Sequence, residues 1–134
     1  MFEKYAILDA VVHTFEKLPE FNWKIRPPTT KDEIALARYL MGGTFVVVDE
    51  QKVPVPHANI EIALFEVSTL FGGTNIPKGE NDPTPVLADN ASVAEITAFL
   101  ESLPAPVVME IWTALGKAVP GWGPKTPAGE APKN

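Results

Sequence analysis

Prolines divide this chain into short elements before any other residue type is consulted. They fall in clusters at Pro27-Pro28, Pro54 and Pro56, Pro83 and Pro85, Pro104 and Pro106, and four times after residue 119. A residue with no backbone N–H and a fixed φ cannot sit inside a helix or a central strand without cost, so each cluster marks a joint. The last and longest pattern between joints runs from Ser92 to Trp122. It describes two amphipathic helices around a Leu103-Pro104-Ala105-Pro106 corner, rich in large apolar groups and poor in reactive ones.

Apolar spacing between the other joints predicts further elements. Leu8, Val11, Val12 and Phe15 recur at i, i+3, i+4 and i+7, which predicts a helix over residues 4–17. Phe21, Trp23 and Ile25 alternate with polar residues until Pro27-Pro28, the period of a half-buried strand at a sheet edge or a strand terminus. Thr30 and Glu33 have capping-box spacing, opening a helix over 31–41 that stops at Gly42-Gly43. Phe45 to Val48 reads as a short strand. Val53 to Pro56 can run back beside it after a polar turn at Asp49 to Lys52, the prolines confining it to an edge or a loop.

Ile60, Leu64, Val67 and Phe71 share one helical stripe, and Ile62, Ala63, Phe65 and Leu70 widen it almost around the cylinder. A helix so apolar belongs at the centre of a core or in an oligomer interface, and its stop is read at Gly72-Gly73. Residues 74–91 read as a polar loop. Ser92 and Glu95 form a second capping box, followed by Val93, Ile96, Leu100 and Leu103 on one face. Val108, Ile111, Trp112, Leu115 and Val119 form the stripe of the last helix, with Pro106 in its first turn. Fold class follows as mainly α: four to five helices with at most a small antiparallel sheet from residues 21–28 and 44–55. Residues 1–119 form a single globular domain, and 120–134 a Pro/Gly-rich flexible tail, disordered except where Trp122 docks.

Length and composition narrow the function. At 134 residues and 46% hydrophobic content the chain can bury one core. Its net charge of −6 opposes approach to nucleic acid or an anionic membrane. The absence of cysteine excludes disulfides and thiolate zinc sites and fits a reducing compartment. No secretory or membrane-spanning pattern occurs, so a cytoplasmic protein is expected.

Candidate chemistry is sparse. His13 and Glu16 stand at i, i+3, a spacing able to share a metal, but no further ligand is near in sequence and a surface polar pair is the better reading. His57, between prolines, has no Ser or Lys beside it to activate. Asp49-Glu50 and Glu80-Asn81-Asp82 lack the spacing of a calcium loop, and the glycine pairs lack the Lys-Ser/Thr of a phosphate loop. Arg26, Lys24 and Lys31 around Trp23 read as a salt-bridged edge. No catalytic residue, metal site or cofactor is expected, and the chain does not read as an enzyme. Recognition by apolar surface remains. Its candidate partner-binding residues are Ile60, Leu64, Val67, Phe71, Val108, Trp112, Leu115 and Trp122, because exposed tryptophan is characteristic of interfaces. The opposing reading puts Trp112 in the core with Trp122 folded over it.

Two stretches resemble phage tail assembly chaperones, short acidic proteins that coat the tape-measure protein before the tail tube polymerises around it. One is Trp23-Lys24-Ile25-Arg26-Pro27-Pro28-Thr29-Thr30-Lys31-Asp32-Glu33, similar to a strand with Arg-Pro followed by Thr and an acidic helix start. The other runs from Ser92-Val93-Ala94-Glu95 through Leu103-Pro104 to Trp112, Pro120 and Trp122, similar to a closing helix pair. The resemblance implies a cofactor-free, homo-oligomeric binder of the tape-measure protein, acting in the host cytoplasm. The alternative is a virion structural component, a head-tail connector or minor tail protein acting by oligomerisation.

Overall fold

In the computed structural model, residues 10–42, 44–55, 57–78 and 86–125 are described. The chain opens with a strand where helical spacing predicts a helix. Strand β1 (Val11–Thr14) pairs antiparallel with β2 (Asn22–Ile25), Val11 opposite Ile25 and His13 opposite Trp23. The residue types explain the correction. Val11, Val12 and Thr14 are β-branched, stiff at χ1 and suited to a pleated surface, while the spacing of Val11, Val12 and Phe15 fits either period over so short a window. From Val12 onward burial follows the strand period: Phe15 is buried and His13 half-buried, whereas Val12 and Thr14 face outward. Leu8 and the rest of the expected first half of that helix lie outside the described residues.

β2 is the central strand, not an edge, and Pro27-Pro28 follow its end. Helix α1 (Thr30–Met41) comes next. Its N-cap is Thr29, one residue before the capping box read from the sequence. The Asp32 carboxylate accepts from Thr29 N at 2.8 Å, and Thr29 Oγ1 accepts from Asp32 N at 3.4 Å. Asp32 wins the capping role because Arg26 fixes it. The guanidinium donates to both carboxylate oxygens, at 2.6 and 3.0 Å, and also to Thr69 O at 2.6 Å. Thr29→Ala is expected to cost about 1 kcal/mol in chemical denaturation. Thr30→Ala should be close to neutral, which the same denaturation experiment checks.

A hairpin follows, β3 (Thr44–Val48) and β4 (Gln51–Val55), turning on Asp49 and Glu50 alone. The two strands form a separate sheet. Helix α2 (Asn59–Thr69) leads after Leu70 straight into β5 (Phe71–Thr74), the third strand of the first sheet, which has order β1-β2-β5 and is antiparallel throughout. Gly72-Gly73 therefore lie in a strand and do not cap a helix. A side chain at Gly72 would press on the β2 backbone, 3.1 Å from Lys24 O, and Gly73 has φ +132, where a β2–β5 register irregularity lies.

Helix α3 (Val93–Glu101) starts on the Ser92–Glu95 capping box as its sequence predicts, and α4 (Ala105–Ala118) has proline in its first turn. Both pack on α2, whose Ala63, Val67 and Leu70 are fully enclosed. Trp23 links sheet to helices, edge-on to Phe71 at 5.0 Å and stacked on Phe99 at 6.4 Å. The architecture is thus an α+β mix of four helices and two small antiparallel sheets among the described residues, not the mainly helical class that spacing suggested. The three-stranded sheet includes β1 and β5, both read as helical or cap residues, which accounts for the difference.

At the C-terminal end Trp122 docks, the exception that the reading of a flexible tail allows. Beyond α4, Gly121 and Gly123 adopt φ +85 and +87, and between them Trp122 turns back into the core, 3% exposed. Gly123 lies against Gly116 of α4, where a methyl group on either glycine would collide with the other's backbone. Residues 120–125 are thus fastened to the body, and 126–134 lie outside the described residues.

Candidate partner-binding surface

Six of the eight apolar residues proposed as a binding surface lie inside the domain. Val67, Phe71, Val108, Trp112, Leu115 and Trp122 are all buried; Leu64 is half-buried and Ile60 exposed. They form the interior that α2, β5, α4 and the Trp122 turn build together. The six buried side chains belong to the domain's own core.

Two of the three tryptophans, Trp112 and Trp122, are held by carboxylates. Trp112 Nε1 donates to Glu66 Oε1 at 3.0 Å, and Gly123 N donates to the same oxygen at 2.6 Å. Trp122 Nε1 donates to Glu33 Oε1 at 2.8 Å. Glu66 is 2% exposed. Burial pushes its carboxyl above the usual carboxylate range; the Gly123 and Trp112 hydrogen bonds and the Lys125 charge oppose this without cancelling it, while Glu33 adds to it. At Asp32 burial also pushes upward, but there the bonds from Arg26 and Thr29 prevail and hold the carboxyl below its ordinary value. In the sequence Glu66 interrupts the apolar run from Ile62 to Val67. Its position between Ala63 and Leu70 on one helical face was the signal that it points inward.

The histidines also have structural partners. His13 Nε2 lies 2.6 Å from Glu110 Oε2, which also accepts from Glu16 N at 3.3 Å, so the expected His13–Glu16 pair is replaced by a clamp between β1 and α4. A shallow depression beside it is lined by His13, Glu16, Met109, Glu110, Thr113 and Lys117. His57 stacks on Tyr39 at 4.1 Å, with Nε2 2.9 Å from Tyr39 O, and Tyr39 stacks on Phe65 at 4.2 Å. This column fixes the end of α1 against α2. No group of three or more His, Asp or Glu side chains able to hold a metal occurs among the described residues.

Exposed apolar surface concentrates elsewhere, at the β3–β4 hairpin and the helix end that leads into it. Val46, Val47, Val48 and Val53 are exposed, Val47 at 73%, and Leu40 and Met41 precede them, Met41 at 82%. The register sets Val46 opposite Val53 and Val48 opposite Gln51, so Val46, Val48 and Val53 share one face. Val47 and Lys52 share the other. A two-stranded ribbon is marginally stable in water by itself, and one that displays valines on both faces is suited to being covered. The sequence showed these strands but gave no reason to rank them above the tryptophan helices.

No family model matches the chain, and no curated protein or solved structure matches it. Among the described residues no helix is long and apolar enough to cross a membrane.

Proposed function

We propose that this protein is an assembly factor of the tail-chaperone kind, which masks an apolar helical segment of a partner protein on the hairpin face formed by Val46, Val48 and Val53. The observation that carries this reading is the display of those valines, continued by Leu40 and Met41, on a chain whose net charge is −6. Five residue pairs make a ribbon about 17 Å long, enough for roughly eleven residues of helix. Apolar contact supplies affinity, and the excess negative charge keeps a coated partner dispersed. The tape-measure protein, whose long apolar helices stay exposed until the tube encloses them, is the partner that the sequence resemblance suggests, and the host cytoplasm is where masking is needed. No cofactor enters this mechanism.

Co-expression with a phage tape-measure protein tests the reading. The intact chain should carry that protein into the soluble fraction. Val53→Asp should lower its capture at least tenfold while costing about 1 kcal/mol or less in stability, the span of strand propensities. A partner equally soluble with Val53→Asp, or insoluble with the intact chain, would sink the idea.

A further inference from the structure

The two edges of the β3–β4 ribbon are unlike. Asp49 and Glu50 both have positive φ, 49 and 64, which makes a two-residue turn closed by the pair Val48 and Gln51. In such a hairpin the closing pair is hydrogen-bonded and the pairs alternate from there. Val46 and Val53 therefore face each other with their N–H and C=O groups. Those of Phe45 and Val47 point away from β4, and so do those of Lys52 and Pro54 on the other side.

The outer edge of β4 is guarded. Proline has no N–H to offer there, and an exposed lysine beside it is the usual device against edge pairing. The outer edge of β3 has neither device; it offers the full donor and acceptor pairs of Phe45 and Val47, and among the described residues no strand lies beyond it. Two outward residues separated by one are self-complementary in antiparallel register. Phe45 of one copy meets Val47 of the next, and the reverse, with a two-fold axis through Val46.

We propose that a second copy of the chain pairs along β3 about Val46, closing a four-stranded antiparallel sheet. A pairing of β3 with β4 of the next copy would extend without limit, but the proline and lysine edge opposes it, so growth stops at two. The closed sheet doubles the valine face, with Val46, Val48 and Val53 of both copies on one side. The dimer stands independently of the helix-masking role proposed above, since its test needs no partner protein.

Sedimentation equilibrium of the full chain should give twice the chain mass. Val47→Pro removes an outward N–H that the hairpin itself does not use, so it should weaken association at least tenfold with an unchanged circular dichroism spectrum. Because the chain has no cysteine, Val46→Cys gives a second readout that does not depend on the proline variant folding. Its Cβ atoms would meet across the axis at about 5 Å, and oxidation should link the copies. Val48→Cys should stay unlinked, its copies lying about 13 Å apart along the strands. A wild-type monomer up to its solubility limit, a dimer indifferent to Val47→Pro, or Val48→Cys linking as readily as Val46→Cys would each overturn the proposal. So would a chain that pairs only with a strand from another protein.

Discussion

Trp122→Ala will lower the stability of the domain by about 3 to 5 kcal/mol, the usual loss for a buried tryptophan cut to alanine. With domain stabilities typically about 5 to 15 kcal/mol, that is a large share of the whole. The indole sits against the core beyond α4, and its Nε1 donates to Glu33 across the domain. Removing residues 120–134 should cost more than the single substitution, because it also takes away the Gly123 N–H that Glu66 accepts and uncovers Gly116 on α4. Trp122→Phe should fall between wild type and alanine, since it keeps most of the apolar volume and loses the hydrogen bond. Urea unfolding monitored by far-ultraviolet circular dichroism measures all three. A truncated chain as stable as the full one would restore the idea that residues 120–134 are a flexible tail.

That idea came from composition. Four prolines and three glycines after residue 119 match the profile of a disordered end, and composition carries no information about position. Gly121 and Gly123 serve the opposite purpose: positive φ on either side of Trp122 aims the indole inward, and the missing side chain of Gly123 lets the backbone touch α4. The same limit applies to Gly72-Gly73, legible as breakers of a helix but not as members of a strand.

Elements with several agreeing signals were legible. Helix α3 shows a capping box, a clear stripe and a proline stop, and the structure follows it closely. Central placement of α2 follows from its apolar circumference, which admits no solvent-facing side wide enough to leave bare. β1 was misread because a four-residue window cannot separate the two periods, and its identity depends on β2, a partner distant from the spacing argument. Capping of α1 slipped by one residue for a similar reason. Thr-x-x-Asp and Thr-x-x-Glu overlap at Thr29 and Thr30, and the choice is made by Arg26 and by Trp122, which draw Asp32 and Glu33 to different tasks. Large apolar side chains point to a binding surface in sequence, yet those are the groups a small domain needs for its own core. What it leaves outside are the smaller valines of β3 and β4.

Glu66→Ala will cost about 2 to 6 kcal/mol, because it leaves two buried donors, Trp112 Nε1 and Gly123 N, with nothing to accept them, at about 1 to 3 kcal/mol each. Glu66→Gln separates the hydrogen bonds from the charge. Its amide oxygen can still accept from both donors while carrying no charge into the interior. The carboxyl of Glu66 is raised by burial, so the folded state holds its proton more tightly than the unfolded chain, where the ordinary value is 4.5. Stability from this group is therefore fully present below pH 4.5 and is lost as pH rises through the higher folded value. Asp32 behaves in the opposite sense. Its lowered value gives stability that is present above pH 3.8 and lost as pH falls through the folded value. Wild-type stability should thus decline from mildly acidic pH toward neutrality on account of Glu66. Glu66→Gln should gain on wild type over the same range, the difference between their denaturation curves isolating this one group from every other carboxylate. A difference that is flat from pH 4.5 to neutrality would mean that Glu66 titrates alike in both states. The bonds from Trp112 and Gly123 and the Lys125 charge would then fully offset the cost of burying its charge.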